Sequence, residues 1–587
     1  MAAELLHFPY SCFLTRTLPR DFTPRALHGT AMKLKIRCSV STQSSQLTPE
    51  ENRRLANYQP DMWNYDFLQS LTSDEEVEVC EDRAKQLEDK VKSMMCKEAE
   101  SLEILELIDD VQRLGLGYRF KGEIRRALDR IASLKDETNK SLHATALCFR
   151  LLRQHGYQVS QDVFSGFKDQ NGSFKANLSE DVKGMLSLYE ASYFSIEGEN
   201  ILDEAKEFTT MYLKDPKVNI HKSLAEQVGH ALELPLNRRM QRLEARWTIE
   251  SYSRRQDVNQ VVLELAKLDF NRLQFEHQSE LRELSRWWRA MGLSKKLSFA
   301  RDRLMECFFW TLGMVSEPQF SYCRKSLTKV FKLITILDDV YDIYGTVDEL
   351  EQFTDAVERW DVNIVQDLPD YMKLCFLALY NTVNEMTYDI LREGGEVALP
   401  YLTKSWVDLL KAFLQEAKWC YNKQIPGVEE YFENGWRSVS GTVLLAHAYI
   451  LLGHNRTREE LEGIEKYHNL LRWSSFIFRL CNDLVSSKAE IERGDISGIL
   501  CYMHETGMSE ESAGKYISNL IDEAWKKLNK DGIGCSPFDE VFVATAFNLA
   551  RQAHCHYQHA DGHGAPDERS RNRVKSLIIE PIPLVGA

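Results

Sequence analysis

The sequence predicts an all-α protein built from two helical domains, and three observations carry that reading. From residue 75 onward, apolar residues recur at three- and four-residue spacing, as in 103–114 and 121–134. Glycine and proline number 29 and 15 in 587 residues and fall mainly between such segments, which leaves the helical stretches unbroken. Few stretches alternate with the period of two that a half-buried strand requires. No short-period repeat of the solenoid kind is present.

Taken in chain order, residues 1–45 stand apart. Arg16, Arg20, Arg25, Lys33, Lys35 and Arg37 face only Glu4 and Asp21, with serine and threonine common. A secretory signal needs a long apolar core, which is missing, so the composition fits an organelle transit peptide removed between residues 38 and 53. A basic tail without structure is the plainer alternative. Residues 50–265 then form a first helical domain. A boundary is expected near 256–273, between long helices over 243–252 and 275–288, and a second domain runs over 266–587. Every chemically loaded motif beyond the N-terminal arm falls in the second domain, so function is expected there.

Composition excludes several classes. Hydrophobic residues at 43% and charged residues at 27% are those of a globular chain. A net charge of −15 argues against nucleic acid as a partner, because phosphate backbones attract basic surfaces. It leaves room for a small anionic ligand held by a local group of cations. No apolar run approaches the roughly 18 to 20 residues a membrane span needs, and 443–452 reads as a buried helix. The 13 cysteines include no CxxC pair, which indicates reduced thiols rather than a disulfide framework.

The first constellation is ILDDVYDIYGT at 336–346. On a helix, Asp338 and Asp342 are four apart and share a face, while Asp339 is turned by about 100° into a supporting position. Two carboxylates beside Leu333, Ile334, Ile336 and Leu337 are costly to bury without a cation. Hard oxygen donors of this kind suit magnesium, which often bridges protein carboxylates and phosphates. A solvated acidic face is what such a motif means when it stands alone.

The second is RLCNDLVSSKAE at 479–490. Asn482, Ser486 and Glu490 form another one-sided stripe of oxygen donors, flanked by Asp483. Two such stripes, each beside an apolar face, can clamp several magnesium ions against one diphosphate. The third is Arg301-Asp302-Arg303, followed by Phe308, Phe309 and Trp310. A departing diphosphate is a multiply charged anion, and the planar fork of arginine suits its oxygens. Arg479, three before Asn482, adds a further donor. The fourth, Arg53-Arg54 with Trp63, shows only a basic start to the folded chain.

Arg53, Arg54 and Trp63, then RDR, DDVYD and NDLxSxxxE, in this order and spacing, resemble the plant class I terpene synthases, and within them the angiosperm branch that makes monoterpenes and isoprene. The resemblance covers essentially everything after residue 45. It implies an N-terminal α-barrel-like domain without catalysis and a C-terminal class I terpenoid synthase bundle. It also implies three magnesium ions, with manganese as a possible substitute, held by Asp338, Asp342, Asn482, Ser486 and Glu490. No DxDD motif occurs, so protonation-initiated chemistry is not expected. Tyr557 and Asp561 match a tyrosine and an aspartate that approach the closed site, so HCHYQHADGHG at 554–564 is expected as part of a lid. Four histidines there, His554, His556, His559 and His563, also allow a zinc site. Many relatives carry a lysine at the place of Gly498.

In this mechanism Arg301, Arg303 and Arg479 bind diphosphate as charge develops, and aromatic faces such as that of Trp310 stabilise the allylic cation. Phe331 lies seven residues before Asp338, roughly 10 Å deeper, and Phe478 four before Asn482, roughly 6 Å deeper. Two rings below two metal stripes raise the pocket floor, which favours a five-carbon chain; ordinary packing is the alternative reading of each ring. Isoprene synthases resemble this chain at Phe331 and Phe478 and differ at Val439 and Gly498, and the stretch 357–419 is shared with ocimene-type synthases. The expectation is isoprene from dimethylallyl diphosphate, with geranyl diphosphate converted to ocimene, myrcene or linalool as the competing reading. The expected setting is the plastid, as a monomer or a homodimer, with the prenyl diphosphate as the partner and no nucleic acid.

Overall fold

A computed structural model describes residues 53, 58–71, 77–96, 100–133, 141–215, 221–453, 456–534 and 536–584. The expected transit peptide at 1–45 and Arg54 lie outside the described residues. Contacts gather Arg53–Ala587 into one compact unit. The described residues form α-helices joined by 3-10 and π turns and by irregular loops. Their only β feature is an isolated bridge between Lys168 and Phe174. The all-α class read from the spacing of apolar residues is therefore the class observed.

The helices form for the reasons the sequence supplies. Ser101–Arg113 turns Ile104, Leu105, Ile108 and Val111 inward, a three-and-four spacing that places one apolar stripe on the core. Val347–Arg359 opens on a capping box, in which Thr346 and Glu349 satisfy each other's backbone amides. Gln260–Met291 begins where the Asn259 side chain accepts from the amides of Val261 and Val262. It ends at Gly292, whose φ of 70° a residue with a β-carbon resists. This helix of 32 residues runs unbroken past residues 265 and 266. It touches Val77–Cys96 as well as Leu304–Met314 and Ser321–Asp339, and so acts as a common spine.

One large apolar core runs from Trp63 to Ile582, and a smaller one lies within 142–232 around Phe149, Phe164 and Leu202. In the second half, Gly441–Leu452 is surrounded by Ser321–Asp339, Leu399–Asn422, Asn469–Arg493 and Glu540–His556. Gly441 through Ile450 are all buried, which is why this segment is apolar on every side. It is a core helix, and no helix among the described residues is long and apolar enough to cross a membrane. The end of the chain is tied to the spine. Gln274 donates to the carbonyl of Leu577 at 3.1 Å, Gln278 to that of Ile578 at 2.8 Å and Asn271 to that of Ile582 at 2.8 Å.

The spine also carries a buried ion pair. Arg324 is wholly buried and grips the Glu280 carboxylate with two bonds of 2.6 and 2.7 Å, and also donates to the carbonyls of Val315 and Glu317. Removing one member leaves the other charged and dry. Arg324→Met is expected to lower the unfolding free energy by about 3–5 kcal/mol. Glu280→Gln added to it should recover part of that loss, as read from denaturant unfolding curves.

Candidate active site

The aspartate helix, Ser321–Asp339, changes geometry where its motif ends. Val340–Tyr344 is a π turn, closed by the Gly345 amide on the Val340 carbonyl at 2.8 Å. Asp338 therefore stands on the last α turn and Asp342 on a wider one, whereas the sequence predicted one uniform helix. Such single wide turns recur at functional sites because they re-aim a side chain without ending the helix. Asp338 pairs with the Arg301 guanidinium. Asp339, fully buried, accepts from the Arg301 backbone amide at 2.7 Å and pairs with its Nε at 2.9 Å. It supports rather than faces the cleft, as its rotation on the helix predicted.

The opposite wall is Asn469–Arg493, one continuous helix that carries Asn482, Ser486 and Glu490 on one stripe. Arg479 is spread over this wall. It donates to the Gly435 carbonyl at 3.1 Å, to Ser438 Oγ at 2.7 Å and to Asn482 Oδ1 at 3.3 Å, and pairs at 3.6 Å with both Glu416 and Asp483. Asp483 is fully buried, held by the Tyr431 hydroxyl at 3.1 Å and the Gly498 amide at 2.9 Å. A β-carbon on Gly498 would stand 2.5 Å from Asp483 Oδ2 and 2.7 Å from Phe432 Cζ. A side chain at 498 would require Asp483 and Phe432 to shift.

Carboxylates dominate the charge of the cleft. Burial and the charge of Asp339 push Asp338 up, against the opposing Arg301. Asp342 is open to the cleft, yet the surrounding protein and then Asp338, Glu416 and Asp495 push it well above the usual range. Burial and Asp483 push Glu490 to about 8. One Glu490 oxygen, Oε2, is buried with no hydrogen-bond partner. Glu416 ties the walls together, since it acts on Asp338 and Asp342 and also pairs with Arg479. Such a surplus of hard, partly unsatisfied oxygen donors fits magnesium. Among the described residues no three histidine, cysteine, aspartate or glutamate side chains form a closed metal cage. An ion here must therefore complete its shell from water and from a ligand's oxygens.

Beneath the walls lies a cluster of rings centred on Trp310. Its indole meets Phe331 edge-on at 5.4 Å, Phe478 at 4.6 Å and His556 at 4.2 Å. Spacing placed Phe331 and Phe478 deep on two separate helices; the fold brings both onto one ring. Tyr557 joins them at 6.1 Å from Phe478 and 6.3 Å from Trp310. Its hydroxyl is pushed well up by burial and Asp561, while Arg301 and Arg479 both oppose that shift. The tyrosine is thus within electrostatic reach of both arginines.

The loop after Tyr557 is a folded cap. Asp561 Oδ1 accepts from the amides of His563 at 3.0 Å and Gly564 at 2.8 Å. Thr335 Oγ1 donates to the Phe331 carbonyl and so accepts from His563 Nε2 at 3.1 Å. Arg303, expected beside Arg301 as an anion donor, is buried and gives its guanidinium to the carbonyls of Gln59, Asp302, His563 and Gly564. It ties the cap and the N-terminal segment to the second half. The four histidines do not converge as a zinc site would require. His554 accepts from Trp525 Nε1 at 3.0 Å, His556 stacks on Trp310, His559 faces Glu233 and His563 bonds Thr335.

Three contributors, Tyr58, Glu416 and Lys332, belong to none of the motifs, and a fourth, Arg53, reads by itself only as a basic start to the folded chain. Arg53 grips both Glu349 oxygens at 2.8 Å and the Tyr344 carbonyl at 2.9 Å, at the end of the π turn that holds Asp342. Tyr58 lies with its ring 5.0 Å from the Arg301 guanidinium. Glu416 and Tyr58 have no spacing that relates them to a motif; Lys332 shares a face with Asp339, seven residues on, but its spacing does not announce a contact with Arg301.

The sequence was compared with known proteins. Residues 62–232 match the terpene synthase N-terminal domain, and 289–527 match the metal binding domain of the terpene synthase family. Chloroplastic isoprene synthase of Populus alba is 57% identical, over 99% of each chain. Chloroplastic myrcene synthase of Quercus ilex is 52% identical, over 94% of this chain and 93% of that one. The crystal structure of isoprene synthase from grey poplar leaves (Populus x canescens), in complex with three Mg2+ ions and dimethylallyl-S-thiolodiphosphate, superposes with a TM-score of 0.83 at 58% identity, covering 89% of this chain and 99% of that one.

The raised carboxyls give a testable pH dependence. With Glu490 near 8 in the folded state against an ordinary 4.5, the folded protein holds more protons between those values, so stability falls as pH rises through them. Buried His554 and His556, lowered to about 3 from 6.5, act in the opposite sense but only below 6.5. In chelator, the melting temperature is therefore expected to fall from pH 6.5 to 8, and Glu490→Gln should flatten that fall.

Proposed function

This chain belongs to the terpene synthase family, and from that premise we propose that it is a carbon–oxygen lyase that ionises a short allylic prenyl diphosphate, releasing diphosphate and a volatile terpene. The favoured reaction is dimethylallyl diphosphate to isoprene. The observation that supports the five-carbon reading is that Phe331 and Phe478, from the two donor helices, both pack on Trp310, at 5.4 and 4.6 Å. The relatives named chloroplastic support a plastid setting.

In this reading Asp338 and Asp342 on one wall, and Asn482, Ser486 and Glu490 on the other, hold magnesium ions. Magnesium, when bound, supplies the positive charge that makes diphosphate a better leaving group. Arg301 exchanges its hold on Asp338 for the diphosphate, and Arg479 reaches it from beside Asn482; both are charged donors already in place before charge develops. Trp310, Phe331 and Phe478 face the allylic cation with ring surfaces and give it no nucleophile, and the cation loses a C–H proton to the released diphosphate to become the neutral diene. Tyr557 and the cap stiffened by Asp561 exclude water, which would otherwise capture the cation as an alcohol. Arg303 contributes by tying that cap down. The helices before the spine carry none of these donors and form the supporting domain.

A second reading, geranyl diphosphate to ocimene, myrcene or linalool, rests on the likeness to a myrcene synthase at 52% identity and on Val439 and Gly498, where isoprene synthases usually differ.

A headspace assay with each diphosphate and magnesium decides between them. Isoprene from the five-carbon substrate, with Phe331→Ala moving product toward ten carbons, is the expected result. Ten-carbon products from the wild type, with little isoprene, would leave Phe331 as ordinary packing. Asp338→Ala and Glu490→Ala should each lower turnover by about 100-fold or more, as loss of a group that stabilises developing charge does.

A further inference from the structure

We propose that Lys332 is a positioning residue for Arg301: its buried side chain holds the Arg301 backbone and so sets where that guanidinium stands beside Asp338. The proposal rests on the reading of Arg301 as a diphosphate ligand.

Lys332 follows Phe331 on the aspartate helix and is fully buried. A buried ammonium persists only where other groups replace its water. Here Nζ donates to the Arg301 carbonyl at 2.9 Å, pairs with Asp302 Oδ1 at 3.1 Å and lies 4.5 Å from the centre of the Trp288 ring. Trp288 Nε1 donates at 2.9 Å to the same Asp302 oxygen, which fixes the pair in one place. Seven residues after Lys332, on the same face of the same helix, Asp339 accepts the Arg301 backbone amide at 2.7 Å. The N–H and the C=O of Arg301 are thus both bound to one helix, and that helix also carries Asp338.

This arrangement matters because Arg301 sits in no regular element. It precedes Leu304–Met314 in a stretch without helix or strand, where the backbone lacks a ladder to hold it. A guanidinium on a long chain aids catalysis only when its base is fixed, because freedom lost at the moment of binding is subtracted from affinity. Lys332 and Asp339 remove that freedom beforehand. A competing account makes Lys332 a counter-charge alone, for Asp302 and for the acids of Asp61 and Glu306, which burial pushes up, Asp61 to about 7.

The two accounts separate on the binding of inorganic pyrophosphate with magnesium, read by calorimetry on the full chain beside melting temperature. Lys332→Met removes both the bond to the carbonyl and the counter-charge, and should lower melting temperature and weaken pyrophosphate binding. Lys332→Met with Asp302→Asn removes the stranded charge. Melting temperature should recover while pyrophosphate binding stays about tenfold weaker, the worth of one good hydrogen bond. Wild-type affinity in that double variant would reduce Lys332 to a counter-charge and overturn the proposal. Lys332→Gln, which keeps a donor, and Lys332→Leu, which does not, repeat the comparison independently. Gln is expected to bind pyrophosphate more tightly than Leu, and equal affinities overturn the proposal. A wild type that binds no pyrophosphate would remove the reading of Arg301 itself, and this result is distinct from any difference among the variants.

Discussion

The constraint on which the rest of the structure depends is the crowding of carboxylates between two helices. Asp338, Asp342, Glu416, Asp483 and Glu490 act on one another through a cleft where protein has replaced much of the water, and burial with neighbouring charge pushes Asp342, Asp483 and Glu490 upward. Like charges gathered this way are unfavourable unless something positive joins them. Among the described residues Arg301, Arg479 and Arg493 act on these acids, and each is already paired with an acid. The deficit of positive charge is what makes the cleft a receptor for cations, and through them for a polyanionic ligand.

Much of the surrounding architecture holds Arg301 and Arg479 and shields what lies below them. Arg301 is fixed from the aspartate helix and covered by Tyr58; Arg479 is fixed by Gly435 and Ser438. The aromatic cluster around Trp310 is built from Phe331 and Phe478, which lie on the same two helices as the oxygen donors. Its rings are buried and carry no charge. Polar chemistry is confined to the mouth and apolar chemistry to the floor, the division needed to release an anion and keep a cation dry. Arg303 binds the carbonyls of His563 and Gly564 in the loop that follows Tyr557.

The second donor stripe was legible because it lies on a single helix, where spacing alone sets the face. Asn482, Ser486 and Glu490 stand on an unbroken helix as their spacing requires. The supporting place of Asp339 was legible for the same reason. Asp342 was only half legible, since nothing in DDVYD announces the π turn that carries it. Arg303 could not be separated from Arg301 in the sequence. Two residues apart in an irregular stretch, they diverge because one meets the aspartate helix and the other meets the cap.

By itself, then, the sequence determined the all-α class, the two oxygen-donor faces and the chemistry they suit, because helical periodicity converts spacing directly into geometry. Tertiary structure alone decided that Phe331 and Phe478 meet on Trp310, that Glu416 joins the two walls, that Gly498 packs against Asp483 and Phe432 and that Lys332 holds Arg301. Each of these is a contact between segments far apart in the chain. No local rule encodes such contacts, because they follow from how whole helices pack.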